Sequence, residues 1–321
     1  MGARSRVVNY RPLGKTELEV SEVGFGVWTV ASGRWGAFSD EAAVDLLRRA
    51  YDAGINYFDT SNVDADGRGE RLLAAAFGDK RDLVILSTKV GRTAQGGGGD
   101  FSPDHIRRSL DASLQRLDSN YVDVLQLHHP TMDVVLDEKV WATLEDLRAG
   151  GKIRYYGMAM GPGMGWLDEA RAAMRKRDVG AIQVYYNVLE EEPSRKFFPV
   201  ALEINQGMVI RGPHAGGVME PNPDLAMRYP ADEEGVAKPS EFLDRARKQA
   251  DNLSWIAEPK GMSMAQAAIK FILSEETVAS VLPNIYRPEH IDEYCAVSDV
   301  EGFSQIELGE LAEQFRRNFG V

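Results

Sequence analysis

What the chain lacks narrows its function first. One cysteine, Cys295, among 321 residues excludes an intramolecular disulfide framework and any thiolate-rich metal site. The five histidines include no pair at metal-ligand spacing on a helix, so no metal is expected. Cations are scarce: 37 Lys and Arg face 49 Asp and Glu, the formal net charge is -12 and the pI is near 5.0. Such a chain has no overall basic face for phosphate backbones, so no nucleic-acid partner is expected. No run approaches the ~20 apolar residues that a membrane-crossing helix needs. Met1 to Arg6 is not followed by the apolar stretch of a signal peptide. No Gly-x-Gly-x-x-Gly turn follows the first apolar strand, which counts against a Rossmann domain. These absences point to a cytoplasmic protein whose partner is a small molecule rather than a membrane or a nucleic acid.

The residues present alternate between strand and helix signals. Tyr10 to Ser21 reads as a small hairpin around Gly14-Lys15-Thr16, and Val23 to Trp28 as a short apolar strand. Ser39 caps a helix with Asp40 and Glu41 in its first turn, and Gly54 stops it. Strands then recur near 55–59, 83–89, 122–127, 154–159, 181–185, 208–211 and 278–282. Helices are expected between them, among them Leu136 to Ala149, Arg195 to Asn205 and Ser240 to Ile256, with closing helices at the C-terminus. The strands are too apolar to have one wet face. About eight strand–helix units in this length predict one α/β domain over residues 1–321, a (β/α)₈ TIM barrel with an N-terminal β-hairpin and extra C-terminal helices. A long Gly-, Pro- and acid-rich loop over 212–238 reads as a lid.

In such a barrel the chemistry sits where the strands end. The ends read, in order, Gly26-Val27-Trp28, Asp59, Lys89, His128, Ala159-Met160, Gln183 with Tyr186, Arg211, and Asn284. Asp59, Lys89 and His128 on consecutive strands should converge as carboxylate, ammonium and imidazole. One ionisable group at a strand end is commonly structural and two can be a plain ion pair, but three in succession favour a site. Asp64 offers a second carboxylate on the loop after Asp59. His129 is expected to face outward or shape the turn, and Trp35 and Tyr57 either wall the pocket or merely pack beside it.

The motifs Gly54-Ile55-Asn56-Tyr57-Phe58-Asp59-Thr60, Ser87-Thr88-Lys89-Val90-Gly91, Leu125-Gln126-Leu127-His128, Gly151-Lys152-Ile153-Arg154 and Gln183-Val184-Tyr185-Tyr186-Asn187 resemble those of aldo-keto reductases, and the resemblance covers essentially the whole chain. It implies a barrel that binds NADP(H) or NAD(H) across the strand tops and reduces carbonyls with an Asp, Tyr, Lys, His tetrad. Asp59, Lys89 and His128 match three members; the Tyr-Gly of the family is Asp64-Ala65 here. Cofactor contacts implied by the match fall at Gly26, Val27, Trp28, Gln183, Tyr186, Arg211 (where the family has its ring-stacking aromatic) and Arg287, which would meet a 2′-phosphate. Ala159-Met160 replace the Ser-Asn that hold the nicotinamide carboxamide, Asn284 replaces the Gly of a Pro-Gly turn, and Tyr294 replaces the Asn that reads the adenine.

The expected function is therefore an atypical oxidoreductase acting on a carbonyl, sugar or polyol-type small molecule with NAD(P)(H), without the tyrosine acid. A carboxylate is ordinarily ionised at neutral pH and is a poor proton donor. The alternative is a redox-neutral lyase, dehydratase or isomerase with Asp64 as general base beside Lys89. A non-catalytic binding subunit is the third possibility, which three retained tetrad residues disfavour.

Overall fold

The computed structural model describes residues 8–93, 99–161, 166–220 and 240–321. An antiparallel pair, β1 (Tyr10–Pro12) and β2 (Glu19–Ser21), precedes the main sheet. Eight parallel strands follow: β3 (Phe25–Gly26), β4 (Tyr57–Asp59), β5 (Ile85–Val90), β6 (Val122–His128), β7 (Ile153–Ala159), β8 (Ala181–Tyr185), β9 (Gly207–Arg211) and β10 (Val278–Leu282). Each pairs with its neighbour in sequence. A parallel bridge between Val23 and Val281 brings the last strand to the first, so the sheet curls into a (β/α)₈ barrel.

Side chains alternate across the barrel wall, and this alternation separates two cores. Tyr57, Val124, Ala181, Val209 and Ala279 point inward and pack with Leu13, Leu18 and Val20 of the hairpin, which plugs the lower end. Phe58, Leu86, Leu125, Leu127, Ile182, Val184 and Ile210 point outward under the helices. With the lower end plugged, polar groups at the upper ends of the strands have only one way to face solvent.

Three helices expected as continuous are divided or shortened. The helix expected over 136–149 becomes Met132–Leu136 and Glu138–Ala149, because Asp137 is extended and its carboxylate accepts from the Lys139 N–H as an N-cap. The helix expected over 195–205 shortens to Phe198–Glu203, with Pro199 in its first turn. The one expected over 240–256 is Ser240–Asp251 followed by Ser254–Ala257. The closing helices are Pro288–Cys295 and Gln305–Arg316. Most of the expected lid, residues 221–238, lies outside the described residues. Among the described residues no helix is long and apolar enough to cross a membrane.

The plug depends on one close approach. Gly14 has φ +54°, and a Cβ there would stand 2.1 Å from the Gly207 amide nitrogen at the foot of β9. Gly14→Ala should therefore destabilise the protein by ~2 kcal/mol or more. Urea denaturation measures this, and an unchanged midpoint would show that the hairpin is not wedged against β9.

Candidate active site

A cavity of about 180 Å³ opens at the C-terminal ends of the strands. Asp59, Asp64, Lys89 and His128 all line it, as do Gly26, Trp28, Gln183 and Arg211. Strand register accounts for much of the convergence. Lys89 lies opposite Gln126, His128 opposite Ala159, and Ala159 opposite Gln183, so successive strands bring their inward residues to one level.

The centre of the site is a buried ion pair. Lys89 Nζ donates to Asp59 Oδ2 and also to the Thr60 carbonyl, 2.9 Å away. Asp59 Oδ1 accepts from Gln126 Nε2 at 3.0 Å, and the same amide donates to Ser87 Oγ at 2.7 Å. The ammonium is thus paired with Asp59, not with Asp64, and two of its three N–H donors are committed to the protein. Tyr57, one inward step below Asp59 and fully buried, has its phenol pushed well above the usual range by burial and then by Asp59. It stays a neutral floor.

Asp64 begins a tight turn, Asp64–Gly67, in which Ala65 (φ +46°), Asp66 (+53°) and Gly67 (+69°) are all left-handed. Two non-glycine residues in that conformation are strained. The turn is anchored on both sides. The Asp64 N–H donates to Ser61 Oγ at 3.2 Å, and Gly67 sits against Arg116, which pairs with fully buried Glu70 at 2.6 Å. Glu70 in turn accepts from Thr88 Oγ1 on β5. Strain at Ala65 and Asp66 is thereby coupled to the strand that bears Lys89.

Both imidazoles of the β6 end face the cavity, contrary to the outward placement expected for His129. His129 is left-handed (φ +57°), so the chain turns instead of continuing the strand alternation. The rings stand 4.5 Å apart. Burial holds His128 well below the ordinary imidazole value, and His129, Lys89, Arg92 and Arg211 lower it further. His129 is lowered to about 3, first by burial and then by Arg211 and Arg92. Both rings are neutral at pH 7. His128 Nδ1 and Gln183 Nε2 are buried without a hydrogen-bond partner.

A second arm of the cavity is lined by His214, Gly216, Gly217, Pro283 and Asn284. Asn284 Nδ2 donates to Glu220 at 2.7 Å, and Tyr286 donates to the other oxygen of that carboxylate at 2.9 Å. His214 lies 3.9 Å from Glu220, with both ring nitrogens buried and unpartnered.

Three expected contacts fall elsewhere. Tyr186 is fully buried between Phe198 and Phe271 on the outer side of the barrel, because it continues the alternation one step past Tyr185. Val27 is in the outer core, its N–H donating to the Asp59 carbonyl. Arg287 is exposed outside the cavity, 5.9 Å from the Tyr286 ring centroid. Trp35 packs on Trp28 and Tyr286, and Tyr294 lies among His214 and His290, outside the lining. Sequence reasoning missed Gln126, which two-residue periodicity from His128 would have flagged, and also Arg92, Tyr185 and His214. Among the described residues no cluster of three or more His, Cys, Asp or Glu could hold a metal.

A model of the Aldo/keto reductase family matches residues 22–314. The Uncharacterized oxidoreductase YqkF of Bacillus subtilis is 27% identical over 314 residues, covering 96% of this chain and 97% of its own. A Probable voltage-gated potassium channel subunit beta of Oryza sativa is 29% identical over 91% of this chain and 92% of its own. Among solved structures, the holo form of aldo-keto reductase AKR11C1 from Bacillus halodurans superposes with a TM-score of 0.78 at 26% identity, covering 95% of this chain and 96% of that one. The glycerol dehydrogenase AKR11B4 from Gluconobacter oxydans shares the fold at a TM-score of 0.79 and 22% identity, over 97% and 96% of the two chains.

The neutral imidazoles set a pH dependence. Both have folded values below the ordinary 6.5, so unfolding takes up protons once the pH falls below that value. Stability is full above about 6.5 and is lost as the pH falls. From about pH 7.5 to about pH 5 the loss should be roughly 1–2 kcal/mol per imidazole. His129→Asn, which tolerates the left-handed backbone, should remove one share. Urea midpoints that fall equally in both proteins would refute that assignment.

Proposed function

The chain belongs to the aldo/keto reductase family, and from that premise we propose that it is an atypical NAD(P)(H)-linked oxidoreductase acting on a carbonyl, sugar or polyol-type small molecule. The observation that carries this is the Asp59–Lys89 ion pair beside neutral His128 in one cavity. The residues present fit a nicotinamide cofactor at its carboxamide end: Gln183 Nε2 is a buried donor with no protein partner. Ala159 and Met160 add no polar side chain there. Exposed Arg287 would meet a 2′-phosphate. A bound nicotinamide would supply or accept the hydride.

This chain's own residues would handle binding and the proton. Asp59, Gln126 and the Thr60 carbonyl fix Lys89, whose remaining N–H can donate to a substrate oxygen. Neutral His128 is suited to donate a hydrogen bond to that oxygen without adding a positive charge, orienting the carbonyl. The proton for a developing alkoxide would come from the Lys89 ammonium. Asp64 is a carboxylate where a phenol would be a better acid, which should make the proton step slow.

Titrating NADPH and NADH by cofactor fluorescence should give saturable binding. Absence of binding into the millimolar range would sink the oxidoreductase assignment. Lys89→Met should lower carbonyl reduction by about 10²-fold or more, and Asp64→Tyr should raise it by about 10-fold or more. No change in the second variant would remove Asp64 from the proton path. Turnover of a sugar without any nicotinamide, abolished in Asp64→Asn, would instead favour a lyase or isomerase.

A further inference from the structure

Arg211 ends β9 with its guanidinium at the cavity wall. Its hydrogen bond is from Nη2 to the Met160 carbonyl, 3.1 Å away, and it lies 5.5 Å from the Tyr185 ring centroid. Among the described residues no carboxylate stands within 4.0 Å of it. A guanidinium carries five N–H donors, so this half-buried one keeps most of its capacity for what enters the cavity. A cation partly withdrawn from water is stabilised by an anion that pairs with it.

The surroundings share its sign. A Cβ built on Gly161 would stand 2.2 Å from Arg211 Nη2 and 3.2 Å from His129 Nε2, so these two groups converge on a spot that a side chain at 161 would fill. Arg92 and Lys89 complete the arc. Among the described residues lining the cavity, three are cations (Lys89, Arg92, Arg211) and two are carboxylates (Asp59, Asp64). Asp59 is already tied to Lys89. Both imidazoles are lowered first by burial and then in part by these cations.

We propose that Arg211, with Arg92 and His129, forms an anion-binding subsite, so that the substrate is a short carbonyl compound bearing a carboxylate or phosphate a few bonds from its carbonyl. The shortness follows from the site: His128, beside the reacting oxygen, is in ring contact with His129, and His129 is next to Arg211. The substrate class rests on the oxidoreductase assignment above; the anion subsite does not.

Matched probes test it. With NADPH, kcat/KM for succinate semialdehyde is compared with that for butanal, and glyceraldehyde 3-phosphate with glyceraldehyde, at fixed ionic strength. At least one anionic member should be preferred by about 10-fold or more; which pair shows the preference identifies carboxylate or phosphate. Arg211→Gln should bring the ratio close to one, mainly through KM. Arg211→Lys should restore part of it, because an ammonium keeps the charge but loses the fork. Without cofactor, succinate and inorganic phosphate are titrated against tryptophan fluorescence, which Trp28 in the cavity wall can report, with succinamide as the neutral control. A saturable change with either anion, absent with succinamide and lost in Arg211→Gln, supports the subsite even where nothing is reduced, and the failure then belongs to the oxidoreductase assignment. Equal use of charged and neutral aldehydes together with no anion-specific fluorescence change overturns the proposal, as does a preference that survives Arg211→Gln. If that variant does not fold, by circular dichroism, Arg92→Gln must lower the anion preference several-fold; an unaltered preference overturns it.

Discussion

The buried pair between Lys89 and Asp59 is the interaction around which the upper half of the barrel is arranged. Two charges removed from water are costly, and mutual attraction repays that cost only when their remaining hydrogen-bonding capacity is also met. Here Gln126 takes the second carboxylate oxygen and the Thr60 carbonyl takes a second ammonium proton. Gln126 is itself anchored on Ser87, the residue opposite Asp59 in the β4–β5 ladder. Each partner comes from a neighbouring strand, so the pair can form only once β4, β5 and β6 are in register. A slip of one residue would turn Lys89 to the outside of the barrel.

That arrangement leaves an acidic protein with a cation-lined cavity. Among the described residues, the wall holds Lys89, Arg92 and Arg211 beside the carboxylates Asp59 and Asp64. Low-dielectric walls focus such a field instead of screening it. Its effect is visible in the two imidazoles, whose proton affinity is lowered by burial and then by those same cations. Asp64 adds a carboxylate to this wall.

Much of the site was legible in the sequence because strands announce their ends and alternate their faces. Asp59, Lys89, His128, Gln183 and Arg211 each close or nearly close an apolar run, and all reach the cavity. Reading failed where alternation was not carried through or was broken. Tyr186 follows inward Tyr185 and so must point out, where Phe198 and Phe271 enclose it. His129 should have pointed out by the same parity, but a left-handed residue reverses the chain there and turns its ring in. Arg92 and His214 stand beyond their strands on turns whose paths depend on tertiary contacts, which no local pattern encodes. Helix breaks at Asp137 and Pro199 were written in capping and proline chemistry, but the apolar periodicity running through them masked the signal.

Field and strain together couple recognition to proton supply. An anion seated at Arg211 would cancel part of the positive potential that holds His128 neutral, raising that imidazole's proton affinity when substrate is present. The nearby carboxylate Asp64 cannot retreat from the site at little cost, because its turn contains three successive left-handed residues braced through Gly67, Arg116 and Glu70. A fixed carboxylate beside a substrate anion is repulsive unless cations separate the two. The anion therefore belongs on the arc of Arg211, Arg92 and His129, with the carbonyl nearer Lys89, and the wall charges alone then give an asymmetric substrate one favourable orientation.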